Sequence, residues 1–452
     1  MKPEIILINP WIYDFAAYDL WSKPLGLLYL AAYLRKCGYG IHLIDCLDIH
    51  YPQMTLSASM NPPKRRLFGT GKFWKEKASK PAPLQPVRRA YSRYGITKEL
   101  FIEELKRVKN PSAVLVTSLM SYWYPGVKEA ISLAREVHTG IPIILGGLYA
   151  KICAQHARRS SGADYVAGEI TLHNMKSVLE IFHRFNVPVM DTEADNTTLP
   201  LPAFDALNGI DYISVLTSTG CPYNCSYCAS PFLYNGLRRR DPESVLEEIE
   251  FWINNHGVRD FAFYDDALLI DFERHLRIVL EGILEKNMNP RFHTPNAVHL
   301  REISPEVAKL LRRSHFRTIR LGLETSDCAM RGKLDDKVSE GDFERAVRHL
   351  KAAGFDKKEI GAYVLMGLPE QTVGSVLSTI RFVERTGASP YLVEYSPIPH
   401  TVLWNKAVEH SEYDITNEPL FHNNTLMPCW DESKREKVPE LKRMVREIRQ
   451  NL

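Results

Sequence analysis

The sequence predicts an α/β fold in two successive parts. The first is an N-terminal Rossmann-like, doubly wound parallel sheet. The second is a partial (β/α)6 TIM-type barrel followed by a small helical C-terminal extension. Three observations predict this. Apolar runs of strand length alternate with amphipathic stretches of helix length, the pattern of parallel strands joined by helical crossovers. The alternation pauses at a polar, proline-bearing stretch, residues 187–211, and then restarts. Three cysteines, Cys221, Cys225 and Cys228, crowd together just after the first strand of the second part.

In chain order, Ile5 to Asn9 (IILIN) suits a strand buried on both faces. Pro24 to Gly38 reads as a helix ending at glycine, and Ile41 to Asp45 as a second strand. Ala113 to Ser118 and Ile141 to Gly147 are further strands, with Val127 to His138 helical between them. Ligands of doubly wound sheets lie beyond the carboxyl ends of the strands. That directs attention to the loops after Asn9, Ser118 and Gly146. The second alternation has strands at 212–217, 260–265, 290–294, 317–323, 360–366 and 391–396. One of its helices, Ser244 to Asn255, is capped by Asp241 with Pro242 in its first turn. Another, Glu340 to Ala353, is entered at Ser339 and closed by Gly354. Working residues of such barrels cluster at the carboxyl ends of strands. The expected domains are residues 1–186, carrying an insertion at 51–110, a linker 187–211, the barrel 212–404 and the helical extension 405–452.

The 452 residues, 45% hydrophobic and 25% charged, describe an ordinary globular chain, and a net charge of +3 is too small to name a partner. Met1 to Pro10 lacks a secretory pattern. Apolar runs such as Gly26 to Leu34 are shorter than the ~18–20 residues of a membrane span. A cytoplasmic protein with no membrane partner is expected. Residues 61–98 hold eleven Lys or Arg and one acid, Glu76, and their prolines forbid a continuous helix. They read as a basic lid. The alternatives are a clamp for an acidic substrate or phosphate and, because Phe73, Trp74 and Tyr91 interleave with the charges, a nucleic-acid surface. No RNA-binding fold accompanies them, so nucleic acid is not the expected partner.

The other cysteines are Cys37, Cys46, Cys153, Cys328 and Cys429; in a cytosolic chain none is a strong disulfide candidate. Cys328 reads as a small apolar filler. The crowded three point to a metal. Zinc usually takes four Cys or His ligands at paired spacings, and here no fourth ligand is near in sequence. Thiolates also suit iron–sulfur clusters. Three cysteines leave one corner of a four-iron cluster free to chelate the amino and carboxylate groups of S-adenosylmethionine (SAM).

Thr217-Ser218-Thr219-Gly220 followed by C-x-x-x-C-x-aromatic-C resembles the radical SAM superfamily. The resemblance implies a 4Fe-4S cluster on Cys221, Cys225 and Cys228, reductive cleavage of SAM to a 5′-deoxyadenosyl radical, and an electron donor such as flavodoxin or ferredoxin. It implies a SAM site at successive strand ends: Tyr227 beside the adenine, Asp265 or Asp266 at the ammonium, Asn296 at the ribose or carboxylate, Glu324 in the mouth, and Gly361 and Gly367 under the adenine. Plainer roles compete with these: core packing for Tyr227, helix capping for the aspartates, a turn for Asn296. His400, where the family has glycine, is either an acid or base at the mouth or a solvated loop residue. The first part is similar to the cobalamin-binding domain that precedes many radical SAM domains. Its matching positions are Pro24, Leu25, Gly26, Ser118, Leu119, Gly146, Gly147 and Glu169, with Ser118 expected to bond the cobalamin tail. The D-x-H-x-x-G ligand motif is missing, and Pro10 to Pro24 holds no histidine. The aromatic run Met120 to Pro125 would wall the corrin or simply pack.

The resemblance implies a cobalamin-dependent methyltransferase acting on an unactivated centre of a small molecule or peptide. Radical rearrangement, cyclisation or oxidation without methyl transfer is the alternative. A methylthiotransferase would need three further cysteines at strand ends of the first part. A cobalamin or redox sensor is the non-enzymatic reading.

Overall fold

The computed structural model describes residues 2–56, 62–189, 199–335 and 337–450. They form two units: 1–211 with 417–420, and 212–416 with 421–452.

The first unit is built on β1 (Glu4–Asn9), α1 (Leu25–Lys36), β2 (Gly40–Asp45), α2 (Lys98–Arg107), β3 (Pro111–Val116), α3 (Tyr124–Val137), β4 (Ile143–Leu145) and β5 (Tyr165–Val166). The strands are all parallel, in the order β2-β1-β3-β4-β5. Ile5, Ile6, Leu7 and Ile8 are fully buried, as expected for the central strand of a sheet covered on both faces. The chain leaves β1 toward β2 on one side and enters β3 on the other. The carboxyl ends of β1 and β3 therefore flank the switch point of the sheet, where such folds leave a crevice. Among the described residues no helix is long and apolar enough to cross a membrane.

Three sequence expectations change here. The basic insertion is not simply a solvated lid. Strands Lys75–Lys77 and Ser92–Tyr94 join Ile12–Asp14 in a small antiparallel sheet. Its aromatics turn inward: Trp74, Phe73 and Tyr91 are 1%, 6% and 2% exposed, so they are core and present no stacking platform for bases. Even Arg93 is buried, paired with Glu76 and lying over the Trp11 ring. Finally, the described part of the expected linker, 199–211, packs onto the first unit. Ala203 N donates to Leu28 O, Arg35 grips both oxygens of Asp205, and Asn208 is bound by Asp48. Residues 190–198 of that linker lie outside the described residues.

The second unit runs β6 (Ile213–Val215), α4 (Pro242–His256), β7 (Asp260–Phe263), α5 (Leu276–Glu285), β8 (Arg291–His293), α6 (Pro305–Arg313), β9 (Phe316–Glu324), α7 (Asp342–Ala352), β10 (Ile360–Met366), α8 (Val373–Thr386), β11 (Ser389–Glu394) and α9 (Val438–Gln450). Its six strands are parallel and lie in sequence order, the arrangement of a partial barrel. Local signals set the helices. Asp241 accepts from Ser244 N ahead of α4, Ser304 from Val307 N ahead of α6, and Thr372 from Ser375 N ahead of α8. Helix α7 departs from expectation. Ser339 is no cap; its own N–H donates to Asp342 Oδ2, and the chain enters through Gly341. Phe261 and Phe263 of β7, Phe292 of β8 and Phe316 at the start of β9 pack against one another at centroid distances of 5.1–6.1 Å.

Candidate active site: the cysteine loop and the strand ends around it

The cysteine loop leaves the carboxyl end of β6. Ser218–Thr219 pairs with Arg238–Arg239 as a two-stranded ribbon, and the loop between them carries the thiols. Gly220 is required where it stands. Its φ is +78°, and a Cβ there would lie 2.2 Å from the Gly236 carbonyl oxygen. The loop is held by its backbone on two sides: Ser226 N donates to Leu334 O, and Leu403 N to Ser226 O.

The two acids after β7 divide. Asp265, expected to meet a SAM ammonium, is fully occupied inside the protein. It accepts from Thr217 N, Thr217 Oγ1 at 2.7 Å and Ser218 Oγ at 2.6 Å, and so anchors the start of the loop. Burial raises its pKa against these hydrogen bonds. Asp266 accepts from Ser230 Oγ at 2.7 Å, and burial raises its pKa too. Asn296 donates to Tyr264 O at 2.8 Å and thereby ties the end of β8 to the end of β7.

At the centre is a group of which the sequence reading had two members. Lys337 Nζ donates to Tyr227 Oη at 2.7 Å and to Glu324 Oε1 at 3.0 Å, with Asp335 Oδ2 at 3.9 Å. The lysine is 9% exposed. Burial disfavours its charge, but Glu324, Cys225 and Asp335 outweigh burial and hold its pKa above the ordinary value. Glu324 reaches the lysine from a left-handed backbone, φ +63°. Gly322 leaves the room, since a Cβ there would come within 3.4 Å of both Glu324 Oε1 and Lys337 Nζ. Lys337 was missed because a lysine in Asp-Asp-Lys-Val reads as solvated surface. His299 was missed for a similar reason. Val298 bridges to Leu321 and carries the chain from β8 to the cysteines. There His299 Nε2 lies 3.8 Å from Cys221 Sγ and the ring stacks on Tyr223 at 4.9 Å.

Gly367 lies at the carboxyl end of β10, in a turn locked by Gln371, whose Oε1 accepts from Gly367 N and Leu368 N. Gly361 is a correction. It lies near the opposite end of the same strand, about 20 Å away at strand rise. A Cβ there would strike the Tyr391 ring at 2.7 Å, so this glycine makes room for Tyr391 and not for a ligand at the mouth. Cys328 is also corrected: it is exposed, the first residue of a short helix capped by Asp327, and fills no core. His400 is exposed and stacks on Phe232 at 4.0 Å, next to the cysteine loop.

The donor set fits a four-iron group with one open corner. Three thiols share the loop, Cys228 Sγ accepts from Ser230 N at 3.4 Å, and no three His, Cys, Asp or Glu side chains among the described residues converge as around a single ion. Burial pushes Cys225 up to about 12, with the Lys337 charge the main opposing pull.

In the first unit, Ser118 Oγ donates to Gly146 O at 2.6 Å, and its carbonyl accepts from Leu148 N. The hydroxyl expected to bind a cobalamin tail is thus used within the fold. Gly147, φ +87°, approaches so closely that a Cβ would lie 2.2 Å from Ser118 O. By contrast a Cβ at Gly26 would meet nothing within 4 Å, and one at Gly146 only Ala167 O at 3.8 Å, so both leave open space. Pro24 and Leu25 start α1, and Leu119 is 40% exposed. Glu169 stands apart, beyond edge strand β5, and accepts from Tyr165 Oη. Trp123 of the aromatic run donates to Asp14, and Tyr124 to Glu418.

A parallel barrel with a three-cysteine loop at its first strand end is the arrangement expected of a radical SAM domain. Residues 215–383 match the radical SAM superfamily, so the chain carries a radical SAM domain. It is 23% identical over 366 residues to an uncharacterized methyltransferase, PH0819, of Pyrococcus horikoshii, covering 73% of this chain and 76% of that protein. It is 25% identical over 290 residues to the hopanoid C-2 methylase of Rhodopseudomonas palustris, covering 61% of this chain and 54% of that one. The chain thus spans only about half of this second relative. Among solved structures it shares the fold of TsrM, a radical SAM methyltransferase of Kitasatospora setae, with TM-score 0.65 and 16% identity, over 90% of this chain and 76% of that chain. TsrM has been solved with cobalamin and a [4Fe-4S] cluster, and with tryptophan and a SAM analogue.

Proposed function

We propose that this chain is a cobalamin-dependent radical SAM methyltransferase. The observation that carries the reading is the buried contact of Lys337 with Tyr227 and Glu324 beside the three-thiol loop. When bound, the cluster supplies the electron that breaks a carbon–sulfur bond of SAM, and the corrinoid carries the methyl group. Cys221, Cys225 and Cys228 hold the cluster. An ammonium has three donors; two of those on Lys337 are used, and the third has only Asp335 Oδ2 at 3.9 Å. That donor is available to the SAM carboxylate, while Glu324 and Asp266 offer acceptors to its amine. Burial excludes water and strengthens each of these charge interactions.

For cobalamin the support is the β2-β1-β3-β4-β5 order with its crevice at β1 and β3, the open glycines Gly26 and Gly146, and the fold shared with TsrM. The loop from Pro10 to Pro24 supplies no histidine to cobalt.

The test is anaerobic reconstitution with iron, sulfide and cobalamin, then reductant and methyl-labelled SAM. The reading expects 5′-deoxyadenosine and S-adenosylhomocysteine together. 5′-Deoxyadenosine without S-adenosylhomocysteine would leave radical rearrangement, cyclisation or oxidation in place of methyl transfer. Neither product would sink the enzymatic reading.

A further inference from the structure

A buried histidine can have both ring nitrogens held by hydrogen bonds. His293, 0% exposed, has Thr318 Oγ1 at one nitrogen and Asp260 Oδ1 at the other, both at 3.1 Å. His299 is different. It is 8% exposed, its Nδ1 is buried without a partner, and the polar neighbour of its Nε2 is Cys221 Sγ at 3.8 Å. With Nδ1 unpartnered, the contact at Nε2 is the polar interaction that orients the ring. A protonated thiol is a weak acceptor and a poor one. A metal-bound thiolate is charged, and hydrogen bonds to charged acceptors are roughly twice as strong as neutral ones. The ring is also aimed. It stacks on Tyr223, inside the cysteine motif itself, and its backbone is fixed through Val298 N to Arg320 O.

We propose that His299 is a positioning residue for the cluster: its Nε2–H donates to the Cys221 thiolate and raises the reduction potential of the iron–sulfur group. The inference rests on the cluster reading above. Hydrogen bonds to the sulfurs are among the factors that set such potentials, because they stabilise the added negative charge of the reduced form. His299 would thereby ease the one-electron reduction that precedes SAM cleavage, without touching SAM.

The experiment uses the full chain, reconstituted anaerobically and titrated by electron paramagnetic resonance without SAM. Three proteins are compared: wild type, His299→Phe, which keeps the stacking ring but loses the N–H, and His299→Gln, which keeps a donor. At a fixed potential the ratio of reduced to oxidised cluster should fall three- to tenfold in His299→Phe; tenfold is about 59 mV for one electron. In His299→Gln it should stay within about twofold of wild type. Equal potentials in wild type and His299→Phe at full iron content overturn the inference. A second measurement does not depend on the Phe variant folding. Pulsed resonance on wild type grown with ¹⁵N-histidine should show one weak nitrogen coupling to the reduced cluster. No coupling overturns the inference, and so does a strong coupling from direct iron ligation. Wild type that takes up no iron at all overturns the cluster reading instead, a separate failure.

Discussion

The two sheets of this molecule carry different kinds of mouth. In the second unit the carboxyl ends of the strands are furnished with side chains: three thiols, the Lys337 ammonium, the Glu324 carboxylate, the Tyr227 phenol and the His299 imidazole. In the first unit the switch point is furnished with backbone and space. Gly147 presses against Ser118, Gly26 and Gly146 leave gaps, and the Ser118 hydroxyl closes on Gly146 O. One mouth can hold a charged metal group and bind ions. The other offers open space at Gly26 and Gly146. The proposed function would divide chemistry and carriage between two folds with the same strand–helix repeat.

The sharpest way to break that division is to remove the thiols. Replacing Cys221, Cys225 and Cys228 together by Ala should abolish iron uptake and SAM cleavage. Cobalamin binding should stay within about twofold of wild type, because no residue at the first unit's switch point is altered. Absorbance and metal analysis read both. Loss of cobalamin along with iron would mean that the two mouths do not function separately.

The next effect is on the buried cation. Lys337→Met leaves Glu324 buried without its partner, and breaking such a pair costs about 3–5 kcal/mol. We expect a lower unfolding midpoint and at least a tenfold rise in the SAM concentration needed for cleavage. Adding Glu324→Gln should restore most of the stability but not the SAM response. If the double variant cleaves SAM normally, the ammonium is structural only.

This contrast explains what was legible in the sequence. The parallel strands were readable because buried runs such as Ile5 to Ile8 are apolar on both faces, and the cysteine loop because three thiols at short spacing are rare. Tyr227 and Glu324 followed from their register on the motif and strand end. Lys337 and His299 did not, since nothing local marks a lysine or a histidine whose burial comes from segments distant in sequence. Gly361 and Ser118 show the converse. A glycine that admits the Tyr391 ring and a serine that satisfies Gly146 O look in sequence like ligand positions. The aromatics of the basic insertion do as well, because composition cannot say which side of a small sheet faces the core.

A smaller effect sharpens the comparison through pH. Asp45 ends β2 and is 2% exposed, bound by Asn9 Nδ2 at 2.6 Å and Leu47 N at 3.0 Å. Burial raises its pKa to about 6; Lys23 pulls it down and Asp48 pushes it up. A raised carboxyl pKa means that the folded state binds the proton more tightly than the unfolded chain does. The contribution of Asp45 is therefore fully present below about pH 4, the unfolded value, and is lost as pH rises through about 6. Two units correspond to about 3 kcal/mol. Asp45→Asn should flatten stability between pH 4 and 6 and stabilise the first unit at pH 7.5. Unchanged pH dependence, followed by hydrogen exchange in β1 and β2, would count against it. Asp265 is buried too, but three donor groups oppose the rise. Its pKa is still raised, so the sign is the same as for Asp45, and more hydrogen bonds oppose the shift than at Asp45.

The smallest effect decides what Ser118 is for. If its hydroxyl serves the fold, Ser118→Ala loses one bond to Gly146 O and one received from Ala150 N at 3.4 Å. Stability should then fall by about 1 kcal/mol, the typical net value of such a bond. Cobalamin affinity should change by less than twofold, as a ligand held by shape has no use for that hydroxyl. If instead Ser118 turns to the cobalamin tail, the two readouts reverse. Affinity would drop about tenfold, equivalent to 1.4 kcal/mol, and the stability of the empty protein would hold. Measuring both on the same variant separates a mouth built of backbone from one that keeps a side chain in reserve. The 2.6 Å bond to Gly146 O favours the first outcome.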